Sequence, residues 1–385
     1  MIKTDFDVAI IGGGPAGSTA ASFLAMAGFS VCLFEKQRFP RETLCGEFLS
    51  HEVIKIISEL GLKEKFNSLS PKPINKLKLF NNTESFIQSP LGFNGYGLKR
   101  SLLDELLLNR AAHLKVNIFQ PVEVKLIKKH GENFEILYSD GEEKSIFSKQ
   151  VVGAYGKQNS LDKLLKRNFA GMKTKLNGIK FHADLEHLPK FKNDEIQIYI
   201  TNGIYCGINK VSGGEAAVCF LADWNEKKLS AIEFLKKLSE ENIFFEDIIG
   251  TEFWKNAEEK AFYGKANIFF GNKNLVEESI FMIGDSARVI APLAGDGIGM
   301  AMEGGKLIAN IFAIQKEKNL SSEAAEKMYI EEWEKLFKRR IKVAKIIQTI
   351  FLKSLFNKFI FKTAGIFPGT VKHIVKYTRG QNETT

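Results

Sequence analysis

The sequence predicts an α/β fold with three parts: a parallel-sheet domain, an inserted and mostly antiparallel β-sheet domain, and a C-terminal helical segment. Three observations support this prediction. A glycine-rich turn joins an apolar strand to a helix close to the N-terminus, within residues 7–28. A second glycine-rich turn, at residues 295–299, begins a long apolar helix. Between them, residues 172–222 hold short β-branched runs separated by glycine and asparagine, which is typical of an antiparallel sheet.

Composition places the chain among ordinary globular proteins. It has 385 residues, of which 44% are hydrophobic and 26% are charged, values common in soluble domains. Its four cysteines show no CxxC pair and no spacing to histidine that would indicate a zinc site. The apolar run at the N-terminus is broken by glycines, so it resembles neither a signal peptide nor a membrane span. The sequence therefore predicts a cytoplasmic protein without a metal.

The net charge of +9 is concentrated near the C-terminus. Residues 338–379 contain eleven lysines and arginines and no acidic residue, which leaves the rest of the chain close to neutral. A nucleic-acid partner would need a basic surface on the folded body, so none is predicted. Residues 341–367 also carry apolar residues at helical spacing. Such a basic amphipathic helix either contacts the inner face of a membrane or packs on the body with its lysines in water, and both alternatives stay open.

The elements follow in order from the N-terminus. Residues 7–12 and 31–36 are apolar runs that predict buried parallel strands, and the helix between them is expected to end at Gly28. Hairpins are predicted for 76–88 and, across an Asp-Gly turn, for 134–147. Further helices are predicted at 98–113, 231–241 and 297–314, and further strands near 116–119, 122–127, 195–200, 203–208 and 215–221.

These elements divide the chain into three predicted regions. The first domain is discontinuous and comprises residues 1–70, 98–168 and 265–320. The inserted β-rich domain, which is expected to bind substrate, comprises residues 71–97 and 169–264. Residues 321–385 form the C-terminal basic helical region.

The N-terminal turn carries a G-x-G-x-x-G motif formed by Gly12, Gly14 and Gly17. Glycine permits a tight turn and close approach of the backbone to a pyrophosphate, and the following helix N-terminus supplies oriented N–H donors. Glu35 closes the second strand, where an acidic side chain binds ribose hydroxyls. Together these residues predict a Rossmann-like dinucleotide-binding domain.

A second motif identifies the dinucleotide. Gly284 and Asp285 precede a P-x-x-G-x-G run at residues 292–297, which resembles the second conserved motif of the FAD-dependent aromatic hydroxylase superfamily, the p-hydroxybenzoate hydroxylase-like proteins. The resemblance implies an FAD-binding domain. Asp285 would accept hydrogen bonds from sugar or ribityl hydroxyls, and the amides of residues 297–299 would stabilise negative charge on the reduced flavin.

A third segment, residues 151–160, resembles the superfamily's A-D-G-x-x-S motif but has Tyr155 in place of the usual Asp. In the family that Asp helps to place both FAD and the pyridine nucleotide, so the change leaves FAD binding expected and NAD(P)H docking in question. No second G-x-G-x-x-G follows a strand. Electrons are therefore expected from NAD(P)H that binds transiently or from a reduced electron-carrier protein. Arg100 matches the family arginine that opens a helix near the cofactor; otherwise it is an ordinary helix residue.

Residues 40–47 have the pattern P-R-x-x-x-C-G-E, which resembles the geranylgeranyl reductase-like branch of the superfamily, with a likeness spanning residues 5–315. In that branch the Cys-Gly pair lies on the substrate side of the isoalloxazine. The resemblance implies that Cys45 and Gly46 are catalytic, with a thiol that positions substrate, donates a proton or acts as a redox partner; the alternative is a small core residue. The predicted cofactor-binding residues are Gly12, Gly14, Pro15, Ala16, Gly17, Glu35, Lys36, Arg41, Cys45, Gly46, Arg100, Val124, Ala154, Gly156, Gly284, Asp285, Pro292, Gly295, Gly297, Ile298 and Gly299.

Tyr205 is the third predicted catalytic residue. Geranylgeranyl reductases carry a Y-x-W-x-F-P stretch on a strand that lines their lipid tunnel, and in this chain only the tyrosine remains, followed by Gly207, Asn209 and Lys210. The substrate of that branch therefore cannot be assigned to this chain. Cys206, beside Tyr205, is expected to face the same pocket. The W-x-W-x-I-P motif of flavin-dependent halogenases is missing, which disfavours halogenation, and the six histidines are interpreted as surface or structural residues.

The motifs together predict an FAD-dependent oxidoreductase that acts on a hydrophobic substrate of isoprenoid, polyene, lipid-like or aromatic character. The Cys-Gly pair favours hydride transfer from reduced flavin to a C=C bond. The missing Y-x-W-x-F-P stretch favours instead a monooxygenase that hydroxylates or epoxidises its substrate with NAD(P)H and O₂. A third alternative is an FAD-binding protein without turnover. A lipid-like substrate would fit peripheral membrane contact through residues 338–379.

Overall fold

The computed structural model describes residues 3–81, 86–157, 159–192, 194–201, 204–223, 230–255, 260–290 and 295–352. Strands in these residues are β1 (Phe6–Ile11), β2 (Val31–Phe34), β3 (Phe48–Leu49), β4 (Lys72–Phe80), β5 (Phe86–Gly97), β6 (Asn117–Phe119), β7 (Glu123–His130), β8 (Asn133–Ser139), β9 (Glu143–Gly153), β10 (Leu176–Asp184), β11 (Glu195–Thr201), β12 (Ile204–Lys210), β13 (Glu215–Asp223), β14 (Tyr263–Lys265), β15 (Val276–Glu277) and β16 (Ile280–Met282). Helices are α1 (Pro15–Met26), α2 (His51–Glu59), α3 (Lys63–Ser68), α4 (Arg100–His113), α5 (Ser160–Leu164), α6 (Ala231–Glu241), α7 (Ile243–Lys255), α8 (Gly297–Lys318) and α9 (Ser322–Leu352).

The first sheet has a parallel centre with the strand order β16-β9-β1-β2-β6. In the register of β1, Val8 pairs with Val31 of β2 and Ala9 pairs with Val151 of β9. The first half of β9 pairs with β8, which pairs in turn with β7, and both of these pairings are antiparallel. Because β1, β2, β9 and β16 run parallel, their carboxyl ends lie at one edge of the sheet. Open parallel sheets bind their ligands at this edge.

The second sheet has eight strands in the order β14-β10-β13-β12-β11-β4-β5-β3. Its pairings are antiparallel except for β4 with β11, which is parallel. One face packs under α6 and α7, where Phe181, Tyr199 and Phe245 are fully buried. The opposite face carries a second apolar cluster that includes Tyr205 and Leu221. The predicted fold class, an α/β protein with an inserted and mostly antiparallel sheet, is confirmed; the domain boundaries stay a prediction.

Several local predictions are confirmed. Strands β4 and β5 form one hairpin and strands β8 and β9 form another, and Gly28 follows α1 with a positive φ of 77°.

The prediction that Cys206 faces the pocket is wrong. Its side chain is fully buried in the core under α6 and α7, because successive residues of a strand point to opposite faces of the sheet and Tyr205 occupies the other face.

The C-terminal helix α9 packs on the first domain. Tyr329, Trp333, Phe337 and Ala344 are buried in the same core as β1 and α8, so this part of the basic region is a packed helix whose lysines are exposed. Residues 353–385, which hold the rest of the predicted basic segment, lie outside the described residues. In the described part of the chain, no helix combines the length and the apolar run needed to cross a membrane.

Candidate flavin site

A cavity of about 640 Å³ lies between the carboxyl edge of the first sheet and the inner face of the second. Gly12 and Gly14 from the first glycine motif line it, and so do Gly284 and Gly297 from the second. The two motifs, 270 residues apart in the sequence, therefore meet at one site. Among the described residues, every predicted site residue lines this cavity except Gly17 and Gly299. The predicted residue Pro292 lies outside the described residues.

The turn after β1 requires glycine on steric grounds. Gly12 has a φ of +114°, and a Cβ atom there would lie 2.4 Å from the Ala154 carbonyl oxygen. A Cβ atom on Gly17 would lie 1.9 Å from the Gly12 carbonyl oxygen. Gly17 thus sits behind the cavity wall, and its role is to let α1 start directly beneath the turn. The N-terminus of α1 then presents its free N–H groups to the cavity, as a diphosphate requires.

Glu35, at the end of β2, is buried and fixed by the backbone. Its Oε2 accepts a hydrogen bond from the Gly13 N–H and its Oε1 accepts one from the Gln37 N–H, both at 2.9 Å. Each carboxylate oxygen has two lone pairs, so both oxygens can accept a further bond from the cavity. This arrangement suits the binding of ribose hydroxyls, which is the role that the sequence predicts for Glu35.

Arg41 adds positive charge beside the α1 N-terminus. Its Nη2 lies 3.7 Å from Glu35 Oε2 and 3.6 Å from Asp104 Oδ2, and a Cβ atom on Gly14 would lie 3.8 Å from the same nitrogen. Its Nε is buried and has no hydrogen-bond partner within the described ranges. A guanidinium with an unused donor at a helix N-terminus fits the diphosphate of a dinucleotide, so the residues present fit FAD.

The turn after β16 contacts the first glycine motif directly. Gly284 has a φ of +59°, and a Cβ atom there would lie 2.9 Å from the Cβ of Ala16. The next residue, Asp285, lines the cavity and its Oδ2 lies 2.9 Å from the Nζ of Lys157. Burial would lower the pKa of Lys157, but Asp285 raises it overall. The carboxylate therefore faces the cavity as half of an ion pair.

A buried arginine, Arg167, joins the turn after β16 to the turn after β9, and nothing in the sequence indicated it. Its Nη1 donates to the Ser286 carbonyl at 3.0 Å and to Asp162 Oδ1 at 3.1 Å. The Ser286 Oγ accepts from the Gly156 N–H at 2.9 Å. Tyr155, at the position of the family Asp, donates to Asp162 Oδ1 at 3.1 Å. The tyrosine is thus part of a structural ion cluster, and burial raises its pKa.

Helix α8 directs its first turn at the ring end of the cavity. Gly297 and Ile298 line the wall, whereas Gly299 lies behind it. A Cβ atom on Gly299 would lie 2.7 Å from Oδ1 of Asp296, the N-cap residue of α8. Free amides at a helix N-terminus stabilise developing negative charge, so the position suits the pyrimidine edge of a flavin.

Cys45 lies on the cavity wall, partly exposed to it. Its Sγ accepts a hydrogen bond from the Glu47 N–H at 3.3 Å, and the Arg100 side chain also bonds to it. Arg100 Nε and Nη2 bind Asp104 at 2.9 and 3.0 Å. Burial would lower the pKa of Arg100, but Asp104 and Cys45 raise it. The thiol therefore lies between a backbone N–H donor and a guanidinium.

A charged cluster lies behind Cys45, and the sequence did not indicate it. Glu47 is fully buried, and its Oε1 accepts from the Arg100 N–H at 2.8 Å and from Lys180 Nζ at 2.5 Å. Its Oε2 lies 2.7 Å from Nε2 of His182. Burial alone would raise the pKa of Glu47, but His182 and Lys180 outweigh it and the pKa falls. His182 was interpreted as surface or structural; its pairing with a residue 135 positions away leaves no local signal.

The same cluster resembles a metal site in composition. Ligand atoms of Glu42, Glu47 and His182 lie within 4.8 Å of one another. However, the ammonium of Lys180 lies 2.5 Å from an oxygen of each carboxylate and supplies the positive charge that a metal would bring. We therefore assign the group as an ion-paired cluster.

The wall opposite the glycine turns is mostly apolar. It comes from β11, β12, β13 and neighbouring loops and includes Leu44, Ile196, Tyr205, Leu221, Ile268, Phe270 and Val289. The Tyr205 hydroxyl would lie 3.2 Å from a Cβ atom on Gly207, so the absence of a side chain there makes room for the phenol. Burial raises the pKa of Tyr205, which keeps its hydroxyl neutral. Asn209 is the polar exception: its Nδ2 is buried without a hydrogen-bond partner in the described part of the chain.

Proteins related to this chain in sequence have several different activities. The chain is 26% identical to the 1H-pyrrole-2-carbonyl-(peptidyl-carrier protein) chlorinase of Pseudomonas fluorescens, across 83% of this chain and 78% of that protein. It is 25% identical to the digeranylgeranylglycerophospholipid reductase of Methanocaldococcus jannaschii, across 85% and 82%. These likenesses confirm the resemblance to the superfamily and to its reductase branch.

Solved structures share the fold. A flavoprotein/dehydrogenase from Cytophaga hutchinsonii superposes with a TM-score of 0.79 at 19% identity, covering 97% of this chain and 92% of that one. A geranylgeranyl bacteriochlorophyll reductase-like protein from Thermoplasma acidophilum gives 0.76 at 19% identity, covering 98% and 94%. Residues 5–322 match the family model described as FAD binding domain. The chain belongs to this FAD binding domain family and is an FAD-dependent oxidoreductase.

Proposed function

We propose that the protein reduces a C=C bond of an apolar, isoprenoid- or polyene-like substrate. The observation that carries the proposal is the shape of the cavity, which runs without interruption from the two glycine turns to the apolar wall around Tyr205 and Leu221. Cys45 and Gly46 lie on the same cavity. Relatives include reductases of digeranylgeranylglycerophospholipid, which supports a hydrophobic substrate.

Reduction of an alkene needs a hydride on one carbon and a proton on the other. When bound and reduced, the FAD cofactor would supply the hydride, and NAD(P)H or a reduced electron-carrier protein would supply the electrons for its reduction. The proton would come from the Cys45 thiol. The thiolate left behind accepts the Glu47 N–H and is paired with the Arg100 guanidinium, so the protein stabilises the charge that proton donation creates. Tyr205 and the apolar wall hold the substrate and exclude water.

A monooxygenase is the second candidate, and Asn209 is the observation that favours it. This side chain stands where the reductase stretch has phenylalanine, lines the cavity and leaves its Nδ2 without a partner within the described ranges. A buried donor without a partner is costly unless a ligand accepts from it, so Asn209 favours a substrate with a polar acceptor, such as an aromatic acid. Relatives include an aromatic compound monooxygenase of Bacillus subtilis, 28% identical over 177 residues.

Peripheral membrane contact is a further part of the proposal. Lys338, Lys342 and Lys345 are exposed on α9, and the sequence has no acidic residue from Lys338 to Arg379. Each base near an anionic bilayer surface contributes about 1 kcal/mol. Such contact would bring the cavity to a lipid-like substrate at the inner face of a membrane.

Product analysis tests the proposal. Dithionite-reduced enzyme is incubated with a polyene, an isoprenoid or an aromatic acid, with and without ¹⁸O₂, and products are separated by mass. A gain of two hydrogens without oxygen supports the reductase. Incorporation of ¹⁸O that depends on O₂ identifies the monooxygenase. FAD-loaded protein that changes none of these substrates and is not reduced by NAD(P)H favours an FAD-binding protein without turnover.

A further inference from the structure

Helix α9 places a buried arginine directly behind the ring end of the cavity. The Arg340 side chain is only 4% exposed. Its Nε donates to Asp296 Oδ2 at 2.9 Å, its Nη2 donates to the same oxygen, and its Nη1 donates to Glu303 Oε2 at 2.5 Å. Glu52 Oε1 lies 3.7 Å from Nη2. One base of the C-terminal run is therefore fixed inside the protein.

The main partner of Arg340 belongs to the first turn of α8. Asp296 is the N-cap residue, 1% exposed, and Gly297 and Ile298 next to it line the cavity. Its Oδ1 lies 3.4 Å from the Ser50 hydroxyl and occupies the space left by the missing side chain of Gly299. The Asp296 carboxylate thus lies beneath the amides that face the ring end of the flavin.

Without Arg340, negative charge would be in excess behind the ring end of the cavity. Three carboxylates, those of Asp296, Glu303 and Glu52, face the Arg340 guanidinium. His51 Nδ1 lies 3.3 Å from the other oxygen of Glu52. Burial raises the pKa of Glu303 to about 7, with Asp296 and Glu52 adding to the effect and Arg340 opposing it. An anion next to a helix N-terminus cancels the positive field of that terminus. Arg340 counteracts this cancellation.

We propose that Arg340 is a positioning residue of the flavin site: through Asp296 it holds the first turn of α8 in place and keeps its N-terminus positive toward the ring end of FAD. The inference depends on FAD binding in this cavity and is independent of the proposed substrate and reaction. With this role for Arg340, helix α9 becomes part of the flavin site. A purely structural role for Arg340 would affect stability and leave the redox properties unchanged.

The test compares the midpoint potential and FAD affinity of purified holoproteins. In Arg340→Met the Asp296 carboxylate loses its neighbouring guanidinium and should weaken binding of reduced FAD about tenfold more than binding of oxidised FAD. For a two-electron couple this makes the potential about 30 mV more negative. Asp296→Asn removes the anion and should shift the potential the opposite way. The double variant should return close to the wild-type value. Lys338→Met, on the exposed face of α9, is the matched control and should change neither quantity.

Three outcomes overturn the proposal. Arg340→Met could behave like Lys338→Met. It could weaken both redox states of FAD equally, which would leave the potential unchanged and show a structural role only. Asp296→Asn could keep the wild-type potential, and this result is decisive even when Arg340→Met does not fold. Arg340→Lys keeps the charge, and we expect it to change the ratio of the two affinities less than twofold.

Discussion

Glu47, which directly precedes β3, is bound to His182 of β10 in the same sheet, with 2.7 Å between Oε2 and Nε2. Lys180 on the same strand as His182 binds the other carboxylate oxygen. The segment that carries Cys45 is therefore attached to the second sheet by buried charges, and the position of the thiol depends on them.

The Glu47 pairing predicts a stability that depends on pH. The pKa of Glu47 is lowered in the folded state, so its contribution is present above the unfolded value of about 4.3 and is lost as the pH falls through the folded value. Removing one partner of a buried ion pair costs about 3 kcal/mol. We expect Glu47→Gln to lower the free energy of unfolding by about this amount at pH 7, with a smaller difference below about pH 4.

Urea unfolding at several pH values measures this difference. Glu132→Gln, an exposed residue in a turn, is the control and should match the wild type throughout. A Glu47→Gln protein with wild-type stability at pH 7 would contradict the prediction.

The steric argument for Gly12 predicts loss of cofactor. Gly12→Ala puts a methyl group 2.4 Å from the Ala154 carbonyl in a backbone conformation with φ of +114°, so the turn must move. We expect FAD affinity to fall at least 100-fold, measured by quenching of flavin fluorescence. Gly28 also has a positive φ but has nothing within 4 Å of its Cβ position, and asparagine tolerates such a backbone. Gly28→Asn should bind FAD normally; equal losses in both variants would refute the argument.

The Cys45 thiol is expected to contribute more to the reaction than to FAD binding. Cys45→Ala should retain FAD within a few-fold and lose product formation by about 100-fold, the low end for a general acid. Cys219 also lines the cavity, and burial raises the pKa of its thiol to about 12. Cys219→Ala is therefore the matched control and should keep most of the activity. Normal turnover by Cys45→Ala would assign the thiol to packing.

The exposed lysines of α9 predict binding to anionic vesicles. Replacing Lys338, Lys342 and Lys345 with glutamine removes three bases and should weaken binding to phosphatidylserine vesicles by about 3 kcal/mol, roughly 100-fold. Cosedimentation at two salt concentrations measures the effect, because electrostatic binding weakens with salt.

Three exposed lysines on other elements serve as the control for this triple variant. Lys63, Lys128 and Lys318 are exposed, and their replacement with glutamine changes the net charge equally. Binding that falls to the same extent in both triple variants would indicate a general charge effect and no dedicated membrane face.

The glycine turns could be predicted from the sequence because their requirements are local. Positive φ, close contact and helix start all fall within a few residues of Gly12, and Glu35 follows at the end of the next strand. The ion clusters could not be predicted in this way. Arg167 meets Ser286, and Glu47 meets His182, across more than a hundred residues, and a charged residue shows no preference for one distant partner in the sequence.

Arg340 is an intermediate case. It looks like its neighbours in a run of lysines and arginines, yet it lies seven residues after Trp333 and three after Phe337. This spacing puts it on the apolar face of the helix. The helical spacing from Trp333 and Phe337 therefore indicates that Arg340 is buried. Its partner Asp296 could not be identified from the sequence, because their contact depends on the tertiary structure.

The hydrogen bonds of Arg167 limit how this protein can be recombined with its relatives. The arginine contacts the turn after β16, and through Asp162 and Tyr155 it also holds the turn after β9. A chimaera with its crossover between residues 167 and 284 would combine halves whose polar contacts evolved separately. Grafting experiments should therefore exchange Tyr155, Asp162, Arg167 and the 284–286 turn as one inseparable unit.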